Sequence, residues 1–413
     1  MLDVHALREQ FPSLNRARGE AARVPVFLDG PGGTQVPQRV IDAMVHYLTT
    51  CNANQGGVFT TSRESDAILE KAHQAAADLL NAPSADEIVF GANMTSLTFH
   101  LSRAFGRTLR PGDEVLVTRL DHDANVRPWV LAARDAGATA RFVDIHPADC
   151  TLDLDDLRRQ LTPRVRLVAV TCASNVVGSV TNVRLITRLA HEVGALVFLD
   201  AVHYAPHRLI DVQDWDCDFL ACSAYKFFGP HVGILWGKRE HLCSLPAYKL
   251  RPATDDLPGR WMTGTQNHEG LAGVAAAIDY LASVESISEA QVSRRRRLER
   301  AFQNIEEYER MLAERLLDGL ASRPRFRVWG ITEREQRGQR VPTITITAAD
   351  RTPQQVAEHL ASREIYVWNG NMYAVELTER LMLEEHGGLV RLGIAHYNTQ
   401  DEIDRVLQAL DEL

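Results

Sequence analysis

The sequence predicts an α/β fold built on a mainly parallel sheet. From residue 114 onward, nearly continuous apolar strands alternate with helical segments, a pattern typical of a parallel sheet that helices cover on both faces. Polar residues accumulate directly after several of these strands. Because ligands bind beyond the carboxyl ends of the strands in such sheets, we expect these polar residues to meet in one site.

Apolar runs predict the strands, and amphipathic helices are expected between them. One helical run contains Ile186, Leu189, Ala190 and Val193 at helical spacing and ends at Gly194. A further apolar run at 232–236 directly follows a glycine-proline turn. The other strands are predicted at 87–90, 114–118, 141–144, 165–171, 195–200 and 218–223.

A chain of 413 residues is long enough for one large and one smaller domain. We expect an N-terminal segment, 1–25, that packs with the small domain, followed by a large domain at 26–284. The small C-terminal α/β domain is expected at 285–413. Within it, 285–320 is predicted to be a long amphipathic helix and 341–347 a strand.

Composition excludes several classes of function. The net charge of −9 argues against a general nucleic-acid surface, and the basic run Arg294–Arg297 is expected to be the solvated face of a helix. No signal peptide and no apolar stretch of about 18 residues is present, so a cytoplasmic enzyme without a membrane partner is expected. The six cysteines have no metal-binding spacing, which predicts reduced thiols and no metal.

Lys226 stands between two apolar runs, Phe219–Ser223 and Val232–Trp236. A buried ammonium costs several kcal/mol unless it is paired, neutralised or covalently consumed. The known chemical use of such a lysine is as a Schiff-base nucleophile toward a carbonyl cofactor, of which pyridoxal 5′-phosphate is the commonest. The alternative is a lysine that reaches solvent from a strand end.

Three other strand ends carry residues that suit this cofactor. Asp200 ends a strongly apolar strand, where a carboxylate can keep a pyridine nitrogen protonated, and His122 can stack on the ring and carry a proton. Asn93 is a good helix cap, and the amides and hydroxyls of the next three residues form an anion site. Strand-end capping and an ordinary strand-to-helix turn are the simpler alternatives. The three residues after Asn93 are Met94, Thr95 and Ser96.

Together, these motifs resemble the class V aminotransferases, and within them the cysteine desulfurases of the cysteine/selenocysteine lyase branch. The resemblance extends from about residue 26 to residue 413. The motifs that carry it are Asn93–Ser96, Asp121–Asn125, Ser174–Gly178, Asp200–His203, Ser223–Lys226 and Arg391–Thr399.

The resemblance implies a fold-type-I enzyme in which Lys226 binds pyridoxal phosphate, Asp200 pairs with the pyridine nitrogen and His122 stacks on the ring. The fold is expected to have a mainly parallel seven-stranded sheet in the large domain. Asn175 and His203 are expected near the ring hydroxyl. The phosphate is expected to lie against the amides around Met94, the side chains of Thr95, Ser96 and Ser223, and Tyr225, which stands where such desulfurases usually carry histidine.

Further implied contacts concern the substrate and a second subunit. Arg391 would grip the α-carboxylate of an amino acid with its two-pronged guanidinium. Thr265 would reach the phosphate of the neighbouring subunit, which implies a homodimer with shared active sites. Side-chain specificity is expected in the loops 52–63 and 366–374, where Asn54 and Trp368 are predicted to contact the substrate.

One departure from the desulfurase pattern bears on the chemistry. Desulfurases that store sulfur as a persulfide carry a cysteine on a mobile loop some twenty residues before the arginine, whereas 366–374 here contains none and the last cysteine is Cys243. A persulfide route through that loop is therefore not expected. Cys51, Cys172 and Cys222 lie near predicted site segments without a nucleophile's context.

The predicted function is a pyridoxal-phosphate-dependent C–S lyase that acts on cysteine or an S-substituted cysteine without a persulfide cysteine. Removal of the Cα proton is shared with transamination and racemisation. A class V aminotransferase or an amino-acid epimerase similar to isopenicillin N epimerase therefore stays an alternative. A non-catalytic protein that binds the cofactor is a third.

Overall fold

The computed structural model describes residues 2–18, 23–284 and 292–413. Its largest sheet has seven strands, of which only Gly233–Gly237 runs antiparallel to its neighbours. The α/β prediction and the mainly parallel sheet are thus confirmed. The spatial order of the strands is Ile88–Gly91, Gly233–Gly237, Phe219–Ser223, Leu196–Asp200, Val165–Thr171, Glu114–Thr118 and Thr139–Val143.

Helices cover this sheet because each has one apolar face. In Val183–Glu192, for example, Ile186 and Ala190 are buried, Asn182 caps the first turn, and Gly194 adopts φ +80° directly after the helix. No helix in the described ranges is both long and apolar enough to cross a membrane. The helices up to residue 284 are Val4–Glu9, Gln38–His46, Thr60–Leu80, Met94–Gly106, Arg127–Asp135, Leu154–Gln160, Val183–Glu192, Val212–Trp215, Arg239–Ser244 and His268–Leu281.

The C-terminal part contains a second, antiparallel sheet of four strands. In spatial order they are Phe326–Trp329, Thr343–Ala348, Leu389–Gly393 and Trp368–Gly370. The long helix expected at 285–320 is seen as Arg294–Ala321, and residues 285–291 of that prediction lie outside the described residues. The other helices here are Pro353–Ala361, Val375–Arg380 and Gln400–Asp411.

Two short strand pairs complete the fold. Val26–Phe27 runs parallel to Ile365–Tyr366, so the chain just after the predicted N-terminal segment pairs with C-terminal residues. Ile145–His146 pairs with Thr151–Leu152. The domain boundaries at 25 and 284 stay predictions.

The basic run at the start of the long helix is not simply a solvated face, which corrects that expectation. Arg294 bonds Asp78 at 2.6 Å and Asp279 at 2.8 Å, with only 16% of its side chain exposed. Arg295 donates to the carbonyl of Ile210 and lies 3.3 Å from Asp211. Two of the four arginines therefore hold the long helix against the N-terminal part of the chain, because carboxylates and carbonyls there face them.

A buried carboxylate secures the amino ends of the central strands, opposite the edge that carries the site. Asp218 accepts hydrogen bonds from the amide of Val197 at 2.7 Å, His191 at 2.9 Å and His241 at 3.1 Å. Lys238 Nζ lies 3.2 Å away. Burial alone would raise the pKa of Asp218, but the donors and the Lys238 charge hold that pKa well below its ordinary value.

We expect Asp218→Asn to lower the free energy of unfolding by about 3 kcal/mol, because it leaves buried donors without a charge to bind. The effect should be largest between about pH 4 and pH 6.5. These limits are the ordinary pKa values of the two groups. The effect should decline above the window, as pH rises through the raised pKa of His191, and below it, as pH falls toward the lowered pKa of Asp218. Denaturant unfolding of both proteins at several pH values measures this difference in the free energy of unfolding. Asp216→Asn, which changes a carboxylate 68% exposed beside the same Lys238, should have little effect; equal losses would contradict the assignment.

Candidate active site

A cavity of about 830 Å³ opens at the carboxyl ends of the large sheet. It brings together residues that the sequence separates by almost 300 positions. Asn54 and Thr265 are not among its lining residues, and Thr265 is exposed. The residues predicted to contact cofactor or substrate that do line it are Met94, Thr95, Ser96, His122, Asn175, Asp200, His203, Ser223, Tyr225, Lys226, Trp368 and Arg391.

Lys226 enters the cavity from a short 3₁₀ turn, Ala224–Lys226, that follows the strand ending at Ser223. Its Nζ donates to the carbonyl of Pro31 and lies 4.8 Å from the centre of the Tyr225 ring. Burial, and then the charge of Arg391, lower the pKa of Lys226 to about 7, against the opposing charge of Asp200. A large fraction of this amine is therefore uncharged near neutral pH and able to act as a nucleophile.

Asp200 is buried, and its Oδ1 accepts a hydrogen bond from the amide of Val202 at 2.8 Å. Burial raises its pKa to about 6. A second buried carboxyl, Asp121, interacts with the Asp200 charge and accepts hydrogen bonds from Thr118 and, at 2.7 Å, from Asn125. Burial raises the pKa of Asp121 to about 8, and the Asp200 charge adds to this rise. Asp200 is therefore the first of the two to ionise, as a partner for a pyridinium must be.

His122 is held as one neutral tautomer. Its Nδ1 accepts a hydrogen bond from the amide of Ala124 at 3.0 Å, so the ring hydrogen is on Nε2. Burial, followed by the charges of Lys226 and Arg391, lowers the pKa of His122 to about 4. The Tyr373 ring stacks on the imidazole at 5.5 Å with an angle of 22° between the planes. His122 therefore presents an N–H donor, fixed in direction, near neutral pH.

The anion site at the start of the helix Met94–Gly106 differs from the sequence expectation in one detail. The Met94 amide donates to the Ser223 hydroxyl at 2.9 Å, and the Ser96 amide donates to the cap Asn93 at 2.9 Å. The Thr95 amide, with the hydroxyls of Thr95 and Ser96, is left for a phosphate. Gly233 makes room for this turn, since a Cβ there would lie 2.4 Å from the Asn93 backbone.

Arg391 reaches the same cavity from the small antiparallel sheet. It is 5% exposed, its Nη1 donates to the carbonyl of Asn175 at 2.9 Å, and its buried Nε has no partner among the described residues. Asp29 interacts with the Arg391 charge, and its buried Oδ1 has no hydrogen-bond partner within the described ranges. Burial raises the pKa of Asp29 to about 6. A guanidinium with an unused donor can bind a substrate carboxylate.

Two residues that are predicted to contact the cofactor form hydrogen bonds within the protein. Asn175 donates its Nδ2 to the carbonyl of Met372 at 2.9 Å, while its buried Oδ1 has no partner in the part of the chain that the structure describes. His203 is bonded to Thr343 at 2.9 Å, and burial lowers its pKa well below the ordinary value. Both residues thus join the large sheet to the C-terminal part. Their contact with the ring hydroxyl stays a prediction.

Sequence reasoning missed several lining residues. Pro31 lies in the 3₁₀ turn Gly30–Gly32, and its carbonyl accepts from Lys226. His231 stacks on Tyr225 at 4.9 Å. An exposed histidine after a glycine-proline turn carries no distinctive pattern. Among the aromatic residues of the C-terminal part, Tyr373 lines the cavity together with the predicted Trp368, whereas Trp329 is buried outside it.

The cysteines lie elsewhere. None of the six lines the cavity, five are buried, and Cys243 is exposed on the helix Arg239–Ser244. Burial raises the pKa of Cys150 to about 11 and also raises the pKa of Cys172, Cys217 and Cys222. A thiol with a raised pKa is a poor nucleophile.

Comparison with known proteins agrees with this geometry. Residues 26–406 match the family model described as aminotransferase class-V. The chain belongs to this family. Its members use pyridoxal 5′-phosphate, and the protein is a pyridoxal-phosphate-dependent enzyme of fold type I.

Two relatives and one solved structure align with nearly the whole chain. Aminotransferase-like protein FGM3 of Gibberella zeae is 32% identical over 99% of this chain and 98% of its own. A probable cysteine desulfurase of Streptomyces coelicolor is 30% identical over 100% of this chain and 97% of its own. The crystal structure of the cysteine desulfurase CsdA from Escherichia coli superposes with a TM-score of 0.85 at 27% identity, covering 100% of this chain and 98% of that one.

The class V cofactor fits the residues present. Only Oδ1 of Asp200 accepts from the Val202 amide, so its other carboxylate oxygen can accept a hydrogen bond from the pyridinium. The buried Oδ1 of Asn175 has no partner among the described residues. The Thr95 amide lies at a helix start able to bind phosphate. We propose that Lys226 holds the cofactor aldehyde and that His122 covers the ring.

Lys226→Ala should abolish both activity and covalent cofactor attachment. After borohydride reduction of the wild-type enzyme, mass spectrometry should find the pyridoxyl mass on the peptide that carries Lys226, because this buried amine has its pKa lowered to about 7. Lys71→Ala, which changes a lysine 59% exposed, is the control and should retain the adduct. An adduct on another lysine of the wild type would refute the assignment.

Proposed function

We propose that this enzyme eliminates a thiol or sulfide from cysteine or an S-substituted cysteine, without a persulfide on the protein. The observation that carries the proposal is the distribution of cysteines. None lines a cavity that offers the lysine, aspartate and arginine of a class V site. Because the thiols with raised pKa are poor nucleophiles, the sulfur is expected to leave directly.

In this reaction each side chain has one task. Arg391 binds the substrate α-carboxylate, and the uncharged Lys226 amine takes the proton from Cα. When bound, the cofactor supplies an electron sink for the charge left at Cα, and Asp200 supports it through the pyridine nitrogen.

The C–S bond then breaks, and the sulfur leaves with the bonding pair. The proton that Lys226 took from Cα neutralises the departing sulfur, and His122 Nε2–H donates a hydrogen bond to it. The carbon product, 2-aminoacrylate, hydrolyses in water to pyruvate and ammonia.

A second candidate is an aminotransferase. The relative FGM3, named as aminotransferase-like, is more similar in sequence than the desulfurase of Streptomyces coelicolor, at 32% against 30% identity. Transamination needs the same three residues and differs in where the proton returns. An epimerase would return it to the opposite face of Cα.

The rate of elimination should not change when every accessible thiol of the enzyme is blocked. We expect iodoacetamide-treated enzyme, and Cys243→Ser, to release pyruvate and thiol from S-methyl-L-cysteine as fast as untreated enzyme, because the only exposed cysteine lies outside the cavity. The measurement couples pyruvate to lactate dehydrogenase and titrates the thiol.

The products separate the alternatives in the same assay. Loss of activity on alkylation would contradict elimination without a protein thiol. Amino transfer to a 2-oxo acid without sulfur loss would favour the aminotransferase. Entry of solvent deuterium at Cα with loss of optical purity would favour the epimerase.

We further propose a homodimer with shared sites. Among the described residues that line the cavity, the only lysine and arginine are Lys226 and Arg391, and neither belongs to the helix start that is expected to bind the phosphate. The exposed Thr265 lies outside the chain's own cavity. An apolar stripe on the helix Gln38–His46 and the segment after it is exposed, as a surface that a second copy covers would be. Its residues are Ile41, Val45, Leu48, Val58 and Phe59.

Sharing of sites can be tested by complementation. Thr265→Asp should impair the enzyme, because a carboxylate would repel the cofactor phosphate of the partner. Mixing it, under conditions of subunit exchange, with Lys226→Ala should restore part of the activity, since one site of each mixed dimer carries neither change. No restoration, with exchange verified by mass spectrometry of mixed dimers, would contradict sharing. Light scattering gives the oligomeric state.

A further inference from the structure

Two large aromatic side chains are left in solvent at the mouth of the cavity. Trp368 is 54% exposed and Tyr373 is 72% exposed, and both belong to the cavity lining. Exposed aromatic surface costs free energy, and clustered exposure at a concave site marks a place where a ligand is bound.

Trp368 stands beside the position that the substrate must take. It lies directly opposite Arg391 in the antiparallel pair of strands, so the two side chains point to the same face of the sheet. Gly32 lets the indole come close, because a Cβ at residue 32 would lie 2.4 Å from Trp368 Nε1. An amino acid held by Arg391 through its carboxylate therefore has this indole next to it.

Tyr373 is held in place by the backbone around it. Its carbonyl accepts from the Asp123 amide at 2.7 Å, and its own amide donates to Asn371 Oδ1 at 3.0 Å. Its φ of +60° is an uncommon conformation for a tyrosine, and such conformations concentrate at ligand sites. One face of the ring stacks on His122, whereas most of the side chain stays exposed.

The cavity-lining residues that lie between Trp368 and Tyr373 in the sequence are uncharged. These lining residues are Asn369, Gly370, Asn371 and Met372. The charged lining residues are Asp200 and Arg391, which are buried, and Lys226, which is proposed to hold the cofactor. The cavity of about 830 Å³ lies in the upper part of the range, roughly 300–1,000 Å³, in which drug-sized ligands bind. It therefore has room for the cofactor and for a substrate larger than cysteine.

We propose that Trp368 and Tyr373 bind a planar, uncharged substituent on the sulfur of the substrate, so that the preferred substrates are S-aryl or S-arylmethyl cysteines. This inference rests on the proposed elimination. Rings that are already positioned bind a flat partner by stacking at little conformational cost. A charged distal group would lose hydration without gaining a partner among the neutral residues of the mouth.

The test compares four substrates on the holoenzyme: S-benzyl, S-cyclohexylmethyl, S-carboxymethyl and S-methyl L-cysteine. The benzyl and cyclohexylmethyl compounds match in size and differ in planarity. We expect kcat/KM for the benzyl compound to exceed that for the cyclohexylmethyl compound by about fivefold to tenfold, as one to two stacking contacts would give. The carboxymethyl compound should be the poorest substrate of the four.

Variants then assign the effect to the two rings. Trp368→Ala and Tyr373→Ala should each lower kcat/KM for the benzyl compound by about threefold to tenfold more than they lower it for the methyl compound. Trp368→Phe and Tyr373→Phe should restore most of the loss. Tyr248→Ala, which removes an aromatic ring 50% exposed outside the cavity, is the matched control.

Equal losses on the benzyl and methyl compounds would overturn the inference, as would a preference for the cyclohexylmethyl or carboxymethyl compound. If no compound releases pyruvate, the proposed elimination is wrong. The aromatic site is then judged separately, by calorimetric Kd values of the four compounds on the Lys226→Ala variant saturated with pyridoxal phosphate. The same ranking there supports the aromatic site, and its absence refutes it.

Discussion

The mutual influence of three charges, on Lys226, Asp200 and Arg391, is the constraint on which the rest of the site depends. All three side chains line one cavity at the carboxyl edge of the large sheet. Arg391 and burial together lower the pKa of Lys226 to about 7, while Asp200 acts against them. Removing any one of the three would therefore change the protonation of another. A reactive lysine is obtained here from electrostatics that the fold imposes, without a dedicated base beside it.

This charge arrangement requires the two parts of the chain to pack against each other. Lys226 and Asp200 come from the large parallel sheet, whereas Arg391 comes from the small antiparallel one. Asn175, four residues after the strand Val165–Thr171, contacts two segments of the C-terminal part, since its carbonyl accepts from Arg391 and its side chain donates to Met372. The Arg391 guanidinium and the loop that contains Met372 are thus held by one asparagine of the large domain.

The cysteines illustrate how burial decides chemistry. Cys172 and Cys222 belong to segments at the carboxyl edge, close in sequence to site residues, yet both side chains are buried outside the cavity. Burial raises the pKa of each thiol, because the thiolate would lose its hydration. Proximity in sequence is therefore a weak guide to reactivity, whereas the cavity lining separates structural thiols from groups available to a substrate.

Sequence patterns and the family resemblance together determined the fold class, the strand ends and 12 of the 25 lining residues. Apolar strands alternating with helices require a covered parallel sheet, and the polar residues that follow those strands, such as Asp200 and Lys226, must then meet at one edge. Only the tertiary structure decided that the Met94 amide is bound to Ser223, that Arg294 is held by carboxylates, and that Tyr373 stacks on His122. Those contacts depend on distances and directions between distant segments, which a one-dimensional pattern of apolar and polar residues does not encode.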